Sequence, residues 1–230
     1  MFKKKKTINK KRFIVTFTNP KSPGAEQYRT VRTNIQFSSI DKELRTMLVT
    51  SSEPSEGKTT TIANLAVTYA NQGNKVLLVD ADLRKPQIHS LFQVENFEGL
   101  SSVIVQNKLV SDVAQKTKIE NLSVLTSGPI PPNPSELLSS SKMKKLVESL
   151  KTEYDMILFD APPVLAVTDA QIMSKNVDGT VLVVRSNQTE KEKVQKAREL
   201  LEIVNAKILG VILNGVEQNK DTYYYYGNEQ

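Results

Sequence analysis

Thr46-Met47-Leu48-Val49-Thr50-Ser51-Ser52-Glu53-Pro54-Ser55-Glu56-Gly57-Lys58-Thr59-Thr60 decides how this chain is read. Its first six residues are a short apolar and β-branched run suited to a buried strand. Small polar and turn-forming residues follow as far as Gly57. From Lys58 to Asn71 the pattern is helical, until Gly73 stops it. A strand that passes through such a loop into a helix gathers successive backbone N–H groups and a helix N-terminus around one concave, positive point. That is the arrangement of a phosphate-binding loop, with Lys58 as a point charge and the Thr59 hydroxyl as a magnesium ligand. Glu56, Gly57 and Thr60 complete the stretch assigned to the nucleotide, ATP with Mg2+. Ser52 stands where the usual pattern has its first glycine.

Outward from this loop, the same unit repeats in kind. Val76 to Asp80, Leu122 to Leu125, Met156 to Asp160, Thr180 to Val184 and Ile208 to Leu213 are near-continuous apolar runs. Helix-patterned segments lie between most of them, notably Ser139 to Lys151, Thr168 to Lys175 and Glu190 to Val204. A further helix spans Ala25 to Phe37, after the turn-forming Pro23-Gly24. Apolar strands alternating with helices predict an α/β fold: a P-loop NTPase with a doubly wound, mostly parallel sheet and helices on both faces. Ligands of such sheets bind at the carboxyl ends of the strands. Gly128 to Ser135, with four prolines and a glycine, reads as a stiff loop with neither helix nor strand.

Two strands end in acids. Asp80 closes one and is followed by Ala81-Asp82-Leu83-Arg84; Asp160 closes another and is followed by Ala161-Pro162-Pro163. If both strands flank the loop, three carboxylates converge on the magnesium edge. Phosphoryl transfer requires positioning and charge neutralisation more than covalent help. Lys58 then draws charge from the β and γ phosphates, Asp82 and Asp160 orient the ion with Thr59, and Asp80 is free to accept a proton from an attacking hydroxyl.

At 230 residues the chain suits one α/β domain. Cysteine is absent, which removes thiolate nucleophiles, disulfides and cysteine metal sites, and a single histidine, His89, excludes a multi-histidine site. No apolar run of about 18 residues exists, so the expected location is the cytosol. The formal charge of +6 belongs to an arm: Lys3, Lys4, Lys5, Lys6, Lys10, Lys11 and Arg12 carry seven positive charges, and subtracting them leaves about −1 for the rest. The folded body therefore has no general reason to bind nucleic acid. The expected division is a basic flexible arm over residues 1–19, a nucleotide-binding domain over 20–216, and a mobile tail over 217–230 that holds Tyr223, Tyr224, Tyr225 and Tyr226. Tyrosines this dense in a polar segment read as phosphate acceptors for a neighbouring subunit.

Together, Gly57-Lys58-Thr59, Asp80-Ala81-Asp82-Leu83-Arg84, Asp160-Ala161-Pro162-Pro163 and the tyrosine tail resemble the bacterial tyrosine kinases that regulate capsule and exopolysaccharide synthesis. In detail the chain is similar to their separate cytoplasmic subunit of CapB or CpsD type. The resemblance implies an ATP- and magnesium-dependent, autophosphorylating protein-tyrosine kinase, with Lys58 and Thr59 in the first nucleotide motif, Asp80 and Asp82 in the second and Asp160 in the third. It also implies that Glu26, Arg29 and Arg32 join subunits into a ring and that Asn214 contacts adenine. Glycine usually stands three before the loop lysine in this family, where this chain has Ser55. The implied partners are a membrane-embedded activator that holds the chain at the inner face of the membrane, protein tyrosine substrates and a cognate tyrosine phosphatase. Two other readings remain open on the residues: an ATPase switch of the MinD and ParA kind, and a non-catalytic, nucleotide-dependent scaffold. MinD and ParA proteins carry an extra lysine early in the loop, and Ser52-Glu53-Pro54 has none.

Overall fold

The computed structural model describes residues 14–38 and 43–216. In chain order the elements begin with α1 (Val15–Thr18), α2 (Pro23–Phe37), β1 (Thr46–Ser51), α3 (Lys58–Ala70) and β2 (Val76–Asp80). Three short helices, α4 (Ile88–Phe92), α5 (Leu100–Gln106) and α6 (Val110–Val113), lead to β3 (Gln115–Lys116) and β4 (Leu122–Leu125). The second half holds α7 (Pro134–Ser139), α8 (Ser141–Leu150), β5 (Met156–Asp160), α9 (Asp169–Ser174), β6 (Gly179–Arg185), α10 (Lys191–Ile203) and β7 (Ile208–Asn214).

The strands form one sheet in the order β3-β4-β2-β5-β1-β6-β7, parallel throughout except for β3. Successive side chains of a strand point to opposite faces, and here both faces are covered. Leu48, Leu77, Val79, Phe159 and Leu182 enter one apolar layer, which includes Val103, Val147 and Leu201 from α5, α8 and α10. Met47, Val49, Leu78, Leu158 and Val183 enter the other, built on Ile62, Leu65 and Tyr69 of α3 and Ile35 of α2. This double burial is why the strands read as continuous apolar runs, and the expected doubly wound fold is present.

Two boundaries differ from expectation. The arm read as running to residue 19 gives way earlier, because Val15–Thr18 is helical. The buried Thr16 there donates its backbone N–H to Asn64 Oδ1 at 3.0 Å and its hydroxyl to the same oxygen at 2.9 Å. The stiff loop ends at Asn133, since Pro134 and Ser135 open α7. Proline fits that first helical position because its missing N–H would have had no partner there. The basic run at residues 3–12 and the tyrosines at 223–226 lie outside the described residues.

Candidate active site

β1 delivers the chain directly into the loop at 52–57, and the loop delivers it into α3. Gly57 has φ +97°, in the left-handed region, and a Cβ placed on it would lie 2.1 Å from Asn214 Nδ2. Glycine is therefore required both by the turn and by the closeness of β7. Asn214 donates that Nδ2 to the Glu56 carbonyl at 2.9 Å, tying the end of the edge strand to the loop. Ser55, where the family pattern has glycine, is also left-handed at φ +69°. The Glu56 side chain is buried and braces the loop: Oε2 accepts from the Glu53 N–H at 2.9 Å, and Oε1 accepts from the Thr189 hydroxyl.

β5 pairs directly with β1, placing Asp160 beside Val49 in register. β2 lies one strand further out, with Asp80 beside Asp160. Only one of the two acid-bearing strands thus flanks the loop strand, but the other reaches the same edge. The Lys58 ammonium sits between them, 3.0 Å from Asp82 Oδ2 and 3.2 Å from Asp160 Oδ1. Thr59 Oγ1 donates to Asp160 Oδ2 at 2.6 Å. The segment after Asp160 is fixed to the start of the loop, since Val164 N–H donates to the Ser51 carbonyl at 2.8 Å and the Thr50 hydroxyl to the Pro162 carbonyl at 2.7 Å.

Lys58, Thr59, Asp80, Asp82 and Asp160 are all buried. Burial presses the Lys58 ammonium toward the neutral form, yet Asp160, Asp82 and Asp80 together outweigh it and hold the pKa above its ordinary value. Burial raises Asp160, against the pull of Lys58 and Thr59. Asp80 is pushed up to about 7, first by burial and then by the neighbouring Asp160. Its Oδ2 accepts from the Gln87 and Ile88 N–H groups at 2.9 Å each, at the start of α4, while its buried Oδ1 has no hydrogen-bond partner.

Three buried carboxylates around one ammonium leave a surplus of negative charge, which suits a divalent cation. Among the described residues, no group of three or more His, Cys, Asp or Glu is placed to hold a metal unaided. Magnesium does not need such a cage, because it is held by one or two carboxylates together with waters and substrate phosphates. The adjoining Thr59 hydroxyl and Asp160 carboxylate, with Asp82 on the other side of Lys58, fit that donor set.

Sequence reasoning missed the clamp behind the site. Arg84, two residues after Asp82, grips the buried Asp169 at the start of α9 with Nε to Oδ2 at 2.8 Å and Nη2 to Oδ1 at 3.1 Å. Ser135 of α7 donates to Asp169 Oδ1 at 2.7 Å and accepts from Arg84 at 2.9 Å. The Asp82 segment, the proline-rich connection and the segment beyond Asp160 are thereby fastened together. The proposed ring residues lie on α2, away from this cluster. Glu26 and Arg29 pair within the helix at 2.6 Å, and Arg32 donates to the Thr68 carbonyl of α3 at 2.8 Å.

Fold and loop together define a P-loop NTPase fold. Residues 45–209 match the family model described as an AAA domain. The tyrosine-protein kinase YwqD of Bacillus subtilis is 51% identical to this chain, over 95% of this chain and 92% of its own length. The putative tyrosine-protein kinase CapB of Staphylococcus aureus is 42% identical over the whole of both chains. A solved structure of the chimerical protein CapA2B2 is 45% identical, covers 89% of this chain and 90% of its own, and superposes with a TM-score of 0.86. More distantly, MinD of Pyrococcus horikoshii, solved with Mg-ADP, is 27% identical over 74% of this chain and 69% of its own, with a TM-score of 0.62. The chain belongs to the bacterial tyrosine-protein kinases. Among the described residues, no helix is long and apolar enough to cross a membrane.

Proposed function

We propose that this kinase binds ATP with Mg2+ at the Lys58 cluster and phosphorylates tyrosines, including Tyr223 to Tyr226 of a neighbouring subunit, in the control of capsular or exopolysaccharide synthesis. The observation that carries this reading is the Lys58 ammonium held between Asp82 and Asp160, beside the Thr59 hydroxyl. Backbone N–H groups from Glu56 to Thr60 cradle the phosphates, and Lys58 turns from its carboxylates to the β and γ oxygens. Thr59, Asp82 and Asp160 hold the magnesium ion, which supplies charge neutralisation at the phosphates when bound.

Asp80 receives the phenol proton as the tyrosine oxygen forms its bond to the γ phosphorus and the bond to the β-γ bridging oxygen breaks, leaving ADP. Its Oδ1, buried beside the cluster and without a hydrogen-bond partner, is the oxygen open to that proton. Asn214, tied to the loop at Glu56, is placed to meet the adenine. Glu26, Arg29 and Arg32 form the surface through which subunits assemble, their present pairings exchanging for partners across the interface. A membrane-embedded activator would hold the chain at the inner membrane face, and a tyrosine phosphatase would reset the tail.

Incubation with γ-labelled ATP and Mg2+ tests this. Label on tyrosine in the wild type, lost when Tyr223 to Tyr226 are all replaced by Phe, is the expected result. Release of free phosphate with no labelled tyrosine would point instead to a MinD-like switch, and nucleotide binding with neither would point to a scaffold.

A further inference from the structure

β7 closes the sheet, paired with β6 on one side and, among the described residues, with nothing on the other. Unpaired edges that carry apolar side chains are ordinarily covered. Here Leu213 and Val216, at 55% and 54% exposure, stand uncovered. Beside them an open groove of about 950 Å3 runs between the first half of α2 and the end of β7. Tyr28, Val31, Ile212 and Val216 give it an apolar wall, Glu26 sits on its α2 side, and Thr61 and Asn214 are part of its lining. The Leu213 side chain, in register with Val184, points to the other face of the sheet. The size is that of a site taking one or two large side chains with their backbone.

The chain itself leads into this groove. Val216, the last residue described, is part of its lining, and fourteen residues follow, Tyr223 to Tyr226 among them. Residues 217–222 can span at most about 20 Å when extended, at roughly 3.3 Å per residue. They are equally able to turn back, so the tyrosines start within reach of the groove at very high effective concentration. A phenol ring has an apolar body and a polar tip, which matches a groove with an apolar wall and polar rim.

We propose that the groove between α2 and β7 is the docking site of the chain's own residues 217–230, with tyrosine rings laid over Ile212 and Val216. Asn214, assigned above to the adenine, also lines the groove, so a docked tail and a bound nucleotide base compete for the same place. A docked tyrosine is withheld from a neighbour's catalytic site, and the docked segment covers Glu26 on the face assigned to assembly.

Limited chymotrypsin digestion of the full chain without nucleotide tests the docking, because cleavage in the tail follows the undocked population. Val216→Asp puts a charge into the groove, and tail cleavage should accelerate about tenfold, the equivalent of about 1.4 kcal/mol of lost docking. Val211→Asp, 57% exposed on β7 but on the face away from the groove, should leave cleavage unchanged. Equal rates in all three proteins, or equal acceleration in both variants, overturn the proposal. So does protection that grows with protein concentration, which would mean that another copy's tail fills the groove. A second readout alters no described residue: replacing Tyr223 to Tyr226 by Ser should shift the methyl resonances of Val31, Ile212 and Val216. Methyls that respond to ADP but not to the serine variant would make the groove a nucleotide-base site and end the proposal.

Discussion

Replacing Lys58 by Met removes the ammonium from a pocket that holds Asp80, Asp82 and Asp160. The ammonium is 3.0 and 3.2 Å from two carboxylates that are almost wholly out of solvent. Breaking a buried ion pair from one side costs about 3–5 kcal/mol, because the remaining charges are left unpaired. That figure applies to ionised partners, and these carboxylates have an escape. Asp160 is already raised by burial, and Asp80 to about 7 by burial and Asp160, so in Lys58→Met both rise further and take up protons. A carboxyl whose folded pKa lies above its unfolded value of about 3.9 contributes stability that is full below that value and lost as pH rises through the folded pKa. The variant should therefore be close to wild-type stability near pH 5 and weaker by about 3–5 kcal/mol at pH 8. Urea unfolding of both proteins at the two pH values, without nucleotide or magnesium, reads this directly. A cost that is the same at pH 5 and pH 8, or no cost at pH 8, would refute the reasoning.

Other expectations follow from single contacts. Ser55→Gly relieves a left-handed serine at φ +69°; the strain of about 1–2 kcal/mol exceeds the glycine entropy term of about 0.5–1 kcal/mol. The thermal midpoint should rise, and a fall would contradict the loop geometry. Arg84→Ala leaves the Asp169 carboxylate buried without its fork, so stability should drop by about 3 kcal/mol in denaturant titration; a change within error would mean the clamp is not formed. Asp178→Ala removes an acceptor of the Thr46 N–H and hydroxyl, both at 2.8 Å, at the start of β1, for a loss of about 1–2 kcal/mol. Although burial opposes it, these bonds hold the Asp178 pKa below its ordinary value. Its contribution is thus present above the unfolded carboxylate pKa and fades as pH falls through the folded one, so the gap to wild type should narrow toward pH 3.

The sheet was legible because a parallel strand covered on both faces has to be apolar throughout, and Val76 to Asp80 or Met156 to Asp160 could hardly be anything else. The phosphate loop was legible because Gly57-Lys58-Thr59 follows such a strand, and the acids because each ends one. What escaped were features too short or too dispersed to leave a pattern. Val15–Thr18 is a single helical turn next to a basic run, held by Asn64, 48 positions away. β3 is two residues long and exists only through its pairing with β4. Pro134, read as part of a breaker run, starts a helix because its position tolerates a missing donor. The clamp of Arg84, Asp169 and Ser135 joins residues 85 and 34 positions apart, and nothing local marks any of the three. Asp80 was expected to stand free as a base, yet one of its oxygens holds the start of α4, leaving only Oδ1 available.

The central claim is that Lys58, Thr59, Asp82 and Asp160 enclose one nucleotide–magnesium unit, and titration calorimetry of ADP, with and without Mg2+, tests it most directly. The account predicts binding to the wild type that weakens sharply when magnesium is removed, and binding to Thr59→Ala that is weak and indifferent to magnesium. Equal affinity in both buffers for the wild type, or no uptake of ADP at all, would contradict it.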